Sequence, residues 1–586
     1  MNKLSNLRSC SDRKGLASLL GFSEKQLTNI LYSSNINEKY YKFSIPKKSG
    51  GDRRILAPHA SLKLLQSNMA ILLSQCHDEI ENERVTKTAQ QSSILSFSSH
   101  GFRKALKTDN SLEPFSFNIY SNAKKHINKK YVLNIDIVDF FESITFSRIV
   151  GYFHKNRHFL LDIDVAILIA QIATYRPSIS VEGYLPQGSP LSPIISNLIG
   201  SILDARILRL SQRYKLDYSR YADDITLSTN MKSFPTEIAY LKNDEWVVGS
   251  KLKKAIEGSR FTVNKKKTRL YTRNKRQEVT SLTVNKKVNI SKKYYRYTRS
   301  MVNEYCKTGS YSKSSEHRYT EIDSDNSLNG ILSYIYYIKK DRNDIAIDHK
   351  FREYEKLVSI EKLYVKFLFH YYFIYPEKML VVGEGVTDPL HLKVACNQLS
   401  KSSRKYIKFS YLGEMARFSK FMRFSGGTGH IHNLLTNYHT IFKAKSLSLK
   451  PCIILVDGDK AGNDVVKHAK SLFKERQLVF KGANCIRAYH LDHNLYIIQL
   501  NKGKEIEDLY HPDIKKTKIG IREFSSENDS KKLDVTKHYG KKEFYEKIVV
   551  EEQDTINFSG FNDVLATLYH IQMYHFILWL FSERKI

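Results

Sequence analysis

Cysteine is scarce in this chain of 586 residues, which has six cysteines and no Cys-x-x-Cys pair. A zinc ribbon or a redox dithiol is therefore not expected, and the scattered thiols favour a reducing, cytoplasmic compartment. Long apolar runs are also lacking, since none reaches the roughly 20 residues of a membrane-spanning helix. The longest, YHFILWLF near the C-terminus, is interpreted as a packed helix, so no membrane partner is expected. The polar, basic N-terminus shows no apolar core of a secretory signal.

Acidic residues are few relative to basic ones: 60 against 93, a formal charge of +33. This excess favours a polyanionic partner, and the length suffices for two to four domains. Tyrosine is abundant, with 37 residues. In KKYYRYTRS, residues 292–300, phosphate-binding cations alternate with rings that stack on bases. This pattern favours a nucleic-acid contact, with a solvated amphipathic helix as the alternative.

Two adjacent carboxylates, Asp223 and Asp224, lie in YSRYADDITLS, residues 218–228. The β-prone residues on both sides predict two short strands with the acidic pair at the turn between them. Ionised neighbours at a hairpin tip repel each other unless a cation neutralises them, and Mg²⁺ prefers carboxylate oxygens. A solvated acidic turn is the alternative for an isolated Asp-Asp pair.

A third carboxylate, Asp136, lies at the centre of YVLNIDIVDFF, residues 131–141, which has the pattern of a buried strand. A charge inside such a run is costly unless it is paired or binds a metal. We therefore expect Asp136, Asp223 and Asp224 to form one site, where two metal ions would activate a 3′-hydroxyl and stabilise departing pyrophosphate. Asp139 competes as a ligand, although an exposed strand-end acid is the more ordinary interpretation.

These blocks resemble the catalytic core of a reverse transcriptase. Between the two acidic strings lies LPQGSPLSPIISN, residues 185–197, which is similar to the family's PQG, SP and Asn block. Upstream, IPKKSGGDRRILAP, residues 45–58, resembles the fingers hairpin. Downstream, FTVNKKKTRL, residues 261–270, resembles the next palm motif. The resemblance implies an α+β right-hand polymerase of fingers, palm and thumb that uses Mg²⁺ and deoxynucleoside triphosphates.

The same resemblance implies roles for single side chains. Phe141 would be the bulky ring beneath the sugar that excludes a 2′-hydroxyl. Its alternative is core packing, because Phe140 and Phe141 should alternate faces on a strand and one of them must be buried. The remaining contacts implied are the triphosphate-gripping Lys47, Lys48 and Arg53, the base-contacting Gln187, and the phosphate-contacting Lys267.

Three further strings resemble the retron branch of the family: SHGFRK at residues 99–104, NAKKH at 122–126 and VTSL at 279–282. A retron enzyme implies a cognate structured noncoding RNA as partner and multicopy single-stranded DNA as product. Ser281 replaces the glycine of the family's VTG element. Because serine adopts a positive φ less readily than glycine, the RNA contact at this position is left open.

A second pattern begins near residue 377. EKMLVVGEGVTDPLHL and, about 70 residues later, PCIILVDGDKAGNDVVKHA each read as strand, acidic turn and helix. Such alternation predicts a parallel sheet with ligands at the carboxyl ends of its strands, where Glu384, Asp457 and Asp459 fall. The Glu-Gly-x-Thr-Asp and Asp-x-Asp strings resemble a TOPRIM domain, an α/β fold with a Rossmann-like parallel sheet. Two unrelated acidic loops are the alternative.

The string GKEIEDLY, residues 503–510, resembles the extra acidic motif of OLD-type TOPRIM nucleases, which bind a second metal. Glu507 is the first candidate there, ahead of Glu505 and Asp508. Those nucleases also place a late lysine near the phosphorus, which nominates Lys541 or Lys542 in KHYGKKEF. Mg²⁺ is the expected metal, with Mn²⁺ as a second candidate.

We therefore expect a retron reverse transcriptase at residues 1–370, with fingers and palm at 1–280 and a thumb at 281–370, followed by a TOPRIM nuclease effector at 371–586. The resemblance implies a role in antiphage defence, and the effector substrate stays open among tRNA, other RNA and DNA. The oligomeric state is also open. One alternative is a retroelement or group II intron-type enzyme whose TOPRIM domain only binds or processes its own nucleic acid. Another is a scaffold with one vestigial acidic centre.

Overall fold

The chain divides into two compact units, Met1–Ser291 and Lys292–Ile586. The helices that the sequence assigned to the thumb are therefore grouped with the C-terminal unit, and the domain limits derived from the sequence stay a prediction. The computed structural model describes residues 2–33, 36–47, 50–87, 97–106, 114–178, 180–315, 318–322, 325–340, 352–442, 447–474, 476–478, 486–526 and 534–583.

The N-terminal unit combines helices with small antiparallel sheets. Its described helices are Lys3–Arg8, Arg13–Leu19, Glu24–Tyr32, Ala60–Lys87, Ile119–Lys124, Phe146–Lys155, Ile163–Ala173, Ser192–Arg213 and Ser250–Glu257. Its strands are β1 Tyr40–Pro46, β2 Asp52–Pro58, β3 Tyr131–Asp136, β4 Asp217–Tyr221, β5 Asp224–Thr229, β6 Ala239–Lys242, β7 Glu245–Val248, β8 Arg269–Thr272, β9 Glu278–Val279 and β10 Leu282–Thr283.

A four-stranded sheet in the order β4-β5-β3-β8 carries the acidic residues of this unit. All three pairings are antiparallel. Alternate side chains of the central strands, such as Leu133 and Ile225, are fully or almost fully buried, and they belong to the same core as Ile195 and Leu203 of the helix Ser192–Arg213. Burial on this face sets the register, because a slip of one residue would turn every apolar side chain outward.

The predicted strand through residues 131–141 is too long. β3 ends at Asp136, and residues 138–143 form turns in which Asp139 has φ +44°. The amide of Ser143 donates to the carbonyl of Asp139 at 2.7 Å, which closes the turn. Asp136 therefore lies at the end of its strand rather than at its centre, so it meets the neighbouring hairpin tip.

The C-terminal unit contains a parallel sheet and its helices. Its described helices are Lys292–Thr308, Asp325–Lys339, Ser359–Phe369, Asp388–Leu399, Ala416–Met422, Thr428–Ile441, Lys460–Leu472, Pro512–Lys515, Lys541–Glu543 and Asn562–Glu583, with π-helices at His370–Ile374 and Phe544–Val549. Its strands are β11 Ser312–Ser315, β12 Arg318–Ile322, β13 Met379–Gly383, β14 Ile407–Tyr411, β15 Cys452–Val456, β16 Arg476–Leu478, β17 Ile486–Asp492, β18 Leu495–Leu500, β19 Glu523–Phe524 and β20 His538–Tyr539.

The main sheet of this unit has the order β14-β13-β15-β18-β17-β16. The first four strands are parallel, and β17 and β16 are antiparallel additions. β13, β15 and β18 are buried along their whole length, as expected for a parallel sheet covered on both faces. The strand, acidic turn and helix predicted at each of the two acidic strings are confirmed.

The region assigned to the thumb contains two helices, Lys292–Thr308 and Asp325–Lys339. The string SLNGILSYIYYIKK, residues 327–340, predicts a helix with an apolar face, and the second helix confirms it by burying Leu328 and Leu332. The polar composition of residues 308–327, between the helices, predicts a loop, and that prediction is wrong. β11 and β12 pair there as an antiparallel hairpin, because a backbone ladder needs only N–H and C=O groups.

The C-terminal helix Asn562–Glu583 is apolar on more than one face. Leu568 and Ile571 are buried, whereas Tyr569 is 59% and Phe581 62% exposed. Within the stretch interpreted as a packed helix, residues 574–581, only His575 is buried, so most of that stretch is not packed. By length and composition, the segment Ser559–Ser582 is the one helix in the described residues that meets the criteria for a membrane span. One such helix is weak evidence, because core helices of soluble proteins meet the same criteria.

Candidate functional site

The acidic pair of the N-terminal unit lies at the tip of the β4–β5 hairpin. Asp223 occupies the turn, Asp224 is the first residue of β5, and Ala222 before them has φ +54°. The predicted arrangement of two strands around the acidic pair is confirmed. Such a two-residue turn with a left-handed residue matches the twist of the flanking strands.

Asp136 lies directly opposite Asp224, because the two residues are paired across β3 and β5. The amide of Ile137 donates to the carbonyl of Asp223 at 3.2 Å, so the end of β3 is also tied to the turn. Antiparallel partners bring their side chains within about 5 Å on the same face of a sheet. The three carboxylates predicted as one site are therefore neighbours.

The electrostatics of this cluster favour a cation. Loss of hydration, followed by the charges of Asp223 and Asp136, raises the pKa of Asp224 to about 7. Burial and Asp136 also raise the pKa of Asp223, while the charges of Lys267 and Arg53 lower it. Asp224 nevertheless keeps an exposed side chain. Crowded, hydrated carboxylates of this kind gain most from binding a divalent ion.

Lys267 supplies the positive charge at this site in the structure. Its Nζ lies 2.8 Å from Asp136 Oδ1, and Asn264 Nδ2 donates to Asp136 Oδ2 at 3.0 Å. The hydrogen bond to Asp136 raises the pKa of Lys267. The lysine predicted as a phosphate contact is thus at the acidic cluster, where it partly neutralises the carboxylates. Its side chain is 58% exposed and can leave when another cation arrives.

A buried ion pair between Arg220 and Asp204 supports the tip of the β4–β5 hairpin. Arg220 donates from Nε and Nη2 to the two oxygens of Asp204, both at 2.7 Å, and from Nη1 to the carbonyl of Ala222 at 3.0 Å. Tyr218 donates to the same carboxylate at 2.6 Å. Bidentate pairs of this kind fix geometry as well as charge. Sequence analysis did not identify Arg220 and Asp204 as a pair. Their contact depends on how the helix Ser192–Arg213 packs against β4.

The fingers hairpin and the Pro-Gln-Gly turn are tied together. The amide of Leu56 in β2 donates to the carbonyl of Gln187 at 2.7 Å. Gly188 has φ +121°, and a side chain there would clash with the carbonyl of Leu56 at 2.8 Å. Lys47 and Arg53 are exposed at the tip of the same hairpin. Lys48 lies outside the described residues. The backbone contact thus brings two predicted cations and Gln187 to one region.

Phe140 and Phe141 separate as predicted. Phe140 is 4% exposed and stacks on Phe261 with a centroid distance of 5.5 Å. Phe141 is half-buried at the edge of the core, 6.1 Å from the ring of Phe102. The expectation that one of the two is buried is confirmed, although a turn rather than a strand separates them. The role of Phe141 under a sugar stays a prediction.

The retron-like strings occupy defined positions. His126 is buried between Ser219 and Ser228, each at 2.7 Å, and so bridges β4 and β5. The VTSL string forms the turn between β9 and β10, where Thr280 has φ +45° and Ser281 +65°. Ser281 therefore adopts the left-handed conformation in which glycine would be less strained.

The second acidic cluster lies at the carboxyl ends of three adjacent parallel strands. Glu384 follows β13, Asp457 follows β15, and Glu507 lies in the 3₁₀-helix Ile506–Leu509 beyond β18. Asp388, at the start of the helix Asp388–Leu399, is also buried and accepts a hydrogen bond from the amide of Gly385 at 2.7 Å. The sequence prediction missed Asp388, although it is the acid of the quoted Glu-Gly-x-Thr-Asp string.

These carboxylates perturb one another strongly. Burial, then the charges of Asp388 and Glu384, raise the pKa of Asp457 to about 8. Burial, then Asp459 and Asp388, raise the pKa of Glu384 to about 7. Glu384 Oε2 is buried and has no hydrogen-bond partner among the described residues. An orphaned oxygen in a cluster of acids is the feature that a divalent cation would satisfy.

Lys541 is the charge-compensating lysine of this cluster. Its Nζ lies 3.1 Å from Glu505 and 3.3 Å from Glu507, and its side chain is 12% exposed. Burial opposes its charge, but Glu507 and Glu505 outweigh burial and raise the pKa of Lys541. The contact with Glu507 lacks hydrogen-bond geometry, so the buried oxygens of Glu507 remain unsatisfied. Lys542 is 82% exposed, which separates the two candidates.

Asp459 has a structural contact of its own. Its Oδ1 accepts from the amide of Gly462 at 2.8 Å and caps the helix Lys460–Leu472, while the side chain stays exposed. A side chain at Gly458 would collide with the carbonyl of Asn501, and one at Gly462 with that of Asp457. Glycines in such acidic turns are typical of sites where a phosphate approaches backbone N–H groups. The immediate neighbours of these two glycines are instead the protein's own carbonyls.

Among the residues that the structure describes, no group of three or more His, Cys, Asp or Glu side chains has the arrangement of a formed metal site. In both clusters a lysine holds an acid that is a predicted ligand. Like charges that raise each other's pKa, together with the unsatisfied oxygens of Glu384 and Glu507, still fit a divalent ion better than any neutral ligand.

Comparisons with known proteins show what the N-terminal region is similar to. Residues 45–300 match the family model of "Reverse transcriptase (RNA-dependent DNA polymerase)". The retron Mx65 reverse transcriptase of Myxococcus xanthus is 28% identical over 309 residues, which cover 50% of this chain and 60% of that protein. The retron Ec86 reverse transcriptase of Escherichia coli is 33% identical over 200 residues, which cover 33% and 56%.

The chain thus spans between 56% and 60% of the length of these two retron relatives. Among solved structures, a telomerase from Candida albicans in complex with a fragment of telomeric RNA covers 69% of this chain and 64% of its own, at 12% identity and a TM-score of 0.31. That score is too low to carry an argument about the fold. The match to the family model shows that residues 45–300 are similar to reverse transcriptases. Enzymes of that family generally use divalent metal ions.

Proposed function

We propose that this chain is a retron RNA-directed DNA polymerase, with a metal-dependent nuclease of the TOPRIM type as its C-terminal effector. The observation that carries the polymerase half is the pairing of Asp136 with Asp224 beside Asp223, inside a segment that matches the reverse transcriptase model. The retron assignment rests on the retron relatives and on the three retron-like strings.

In the polymerase half, Asp136, Asp223 and Asp224 would hold divalent ions that activate a 3′-hydroxyl and stabilise departing pyrophosphate. Other side chains of this unit would bind the nucleotide and the template. Lys47 and Arg53 would bind the triphosphate, and Gln187 would contact a base at the Pro-Gln-Gly turn. Lys267 would exchange Asp136 for a phosphate oxygen once the carboxylate is neutralised, since its ammonium already lies within reach of the cluster.

In the C-terminal half, Glu384, Asp457, Asp459 and Glu507 would hold Mg²⁺ or Mn²⁺, which would polarise a phosphodiester and activate water. Asp388 would complete this set. Lys541 would stabilise the charge that develops on phosphorus, because it is the buried lysine held against the acids. The support for this half is the raised pKa of Glu384 and Asp457 at adjacent strand ends.

The family resemblance adds the biological setting. The polymerase would copy part of its cognate noncoding RNA from an internal guanosine 2′-hydroxyl and leave multicopy single-stranded DNA. The bound hybrid would restrain the effector until phage infection disturbs it. A cytoplasmic location accompanies this role.

The test of the polymerase half is Asp223→Asn, which should abolish complementary DNA synthesis on the cognate RNA while RNA binding persists. Asp217→Asn is the matched control, because Asp217 is an exposed acid at the other end of β4. Extension by the Asp223 variant at a near-normal rate would remove Asp223 from the site. The product separates the retron from a group II intron-type enzyme, because only the retron would leave a 2′,5′-branched RNA–DNA hybrid.

A further inference from the structure

A second concave site lies in the C-terminal unit, at the edge of the parallel sheet where β14 begins. The cavity has a volume of about 420 Å³. Tyr371, Tyr372 and Phe409 line it, and all three side chains are half-buried. Cavities of roughly 300–1,000 Å³ with aromatic walls are the usual size and chemistry of ligand sites.

Cations surround these aromatic side chains. Lys378 precedes β13, Lys393 lies in the helix Asp388–Leu399, Arg404 follows that helix, and Lys408 lies in β14. All four are exposed, and in the described part of the chain none of them forms an ion pair. Glu377 is the one acid that lines the cavity. The lining of the cavity therefore carries four cationic side chains and one acidic side chain, which leaves an excess of positive charge.

One of these cations already lies close to an aromatic face. Lys408 Nζ lies 5.9 Å from the ring centroid of Tyr372. Tyr372 is edge-on to Tyr371, with a centroid distance of 5.1 Å. A phosphate held by Lys408 would thus lie near an aromatic wall. Aromatic rings for bases beside cations for the backbone are the elements of single-strand binding sites.

This cavity is separate from the acidic cluster. Lys378 precedes β13 and Glu384 follows it, so six residues of extended chain separate them, about 20 Å at 3.3 Å per residue. The cavity lies at the amino ends of the parallel strands, whereas Glu384, Asp457 and Glu507 lie at the carboxyl ends. The predicted nuclease chemistry does not account for it.

We propose that this cavity binds single-stranded nucleic acid, with an unpaired base against Tyr371, Tyr372 and Phe409 and the flanking phosphates on the surrounding cations. A duplex fits poorly, because its bases are already stacked and cannot reach a recessed ring. The proposal goes beyond the proposed nuclease activity and does not depend on it, since a strand can be bound here whether or not it is cut.

The test uses the full-length chain and a 12-nucleotide oligonucleotide that carries 5-iodouridine, which crosslinks to aromatic rings under ultraviolet light. In EDTA, to prevent cleavage, mass spectrometry should locate an adduct on the peptide that contains Tyr371 and Tyr372. The double reversal Lys393→Glu and Arg404→Glu should lower the yield of this adduct at least tenfold at moderate salt. DNA and RNA versions of the oligonucleotide determine which sugar is preferred.

The matched control is Lys356→Glu with Lys467→Glu, which changes the net charge equally at two exposed lysines of the same unit that do not line the cavity. An equal loss of the adduct in this control would reduce the effect to general charge and overturn the proposal. So would adducts that map only to other peptides.

Two further comparisons sharpen the test. Tyr372→Phe should keep the adduct, whereas Tyr372→Leu should lower its yield at least fivefold at unchanged secondary structure. Retention of the full adduct in Tyr372→Leu would overturn the stacking role. If excess ATP removes the adduct as effectively as unlabelled oligonucleotide, the cavity binds free nucleotides and the assignment to a strand fails. Equal competition by a duplex would overturn it as well.

Discussion

The two acidic clusters of this chain use the same side-chain chemistry on opposite kinds of sheet. In the N-terminal unit, antiparallel pairing sets Asp136 opposite Asp224 at the end of a ladder. In the C-terminal unit, parallel strands end side by side: Glu384 and Asp457 each directly follow a strand, and Glu507 lies in the 3₁₀-helix after β18. Strand register therefore brings the carboxylates together in the first cluster, whereas the order of the parallel strands brings them together in the second.

The difference has consequences for how each cluster is supported. The hairpin tip depends on a buried arginine, Arg220, because a turn of two residues has few contacts of its own. The strand-end cluster depends on helices that begin within it: Asp388 accepts from the amide of Gly385 in the turn before its helix, and Asp459 accepts from the amide of Gly462 in the first turn of its helix. A single side-chain change should therefore disturb the first cluster more than the second.

The largest expected effect is a reciprocal loss of activities. Asp224→Asn should lower complementary DNA synthesis more than about 100-fold, and Glu384→Gln should lower nuclease activity by a similar factor, since loss of a direct ligand exceeds the roughly 10–100-fold cost of an outer partner. Each variant should keep the other activity. Parallel assays of primer extension and of RNA and DNA cleavage measure both, with Asp464→Asn as control. A variant that loses both activities with its fold intact would contradict the model of two separate sites.

Removal of Arg220 tests the support of the hairpin. Arg220→Met should destabilise the N-terminal unit by roughly 3–5 kcal/mol, because Asp204 is left buried without its partner. Arg213→Met, at an exposed arginine, should have little effect. Denaturant unfolding measures the difference. Addition of Asp204→Leu should recover part of the loss, and no recovery would mean that the arginine acts through Ala222 rather than through the ion pair.

Two adjacent lysines, Lys541 and Lys542, test whether a specific contact or general surface charge supports the C-terminal cluster. Lys541→Met should lower nuclease activity by roughly 10–100-fold, because the side chain held by Glu505 and Glu507 is lost. Lys542→Met, one residue away but exposed, should leave the activity unchanged. Cleavage rates at saturating metal provide the measurement. Equal losses in both variants would assign the effect to local charge.

A change at Phe141 tests sugar selection in the first cluster. Phe141→Ala should raise the ratio of ribonucleotide to deoxynucleotide incorporation by roughly 10–100-fold, since a pocket that rejects one small group discriminates by about 1–3 kcal/mol. Deoxynucleotide use should persist. Phe102→Ala, which removes the neighbouring ring, is the control. An unchanged ratio in single-nucleotide extension would make Phe141 a packing residue.

The smallest effect concerns pH. Asp457 and Glu384 have pKa values of about 8 and 7 when folded, above those of free carboxyls, so the folded state binds the extra protons. Their contribution to stability is present at low pH and is lost as the pH rises through these values. In EDTA the melting temperature should therefore fall from pH 6 to 8.5, by an effect of at most a few kcal/mol. Asp457→Asn should flatten this slope and Mg²⁺ should offset it, whereas an unchanged slope in the variant would exclude the carboxyl.

Much of both sites could be predicted from local strings. A hairpin with two acids at its tip, and a strand ending in Glu384 or Asp457, are set by β-prone residues next to turn residues, and both appear as predicted. The length of β3 was overestimated, because apolar residues 137–141 look like a strand until Asp139 turns the chain. The hairpin β11–β12 was missed because its mostly polar sequence lacks the alternation of apolar and polar residues that marks a strand.

The sequence alone determined the identity of the acids, their order along the chain, the excess of positive charge, and the likeness of residues 45–300 to reverse transcriptases. Only the tertiary structure decided which distant groups meet. The pairing of Arg220 with Asp204, the position of Asp388 beside Asp457, and the choice of Lys541 over Lys542 all depend on packing between elements far apart in the chain. Local patterns report burial and turns, whereas the partner of a buried charge is set by whichever element packs against it.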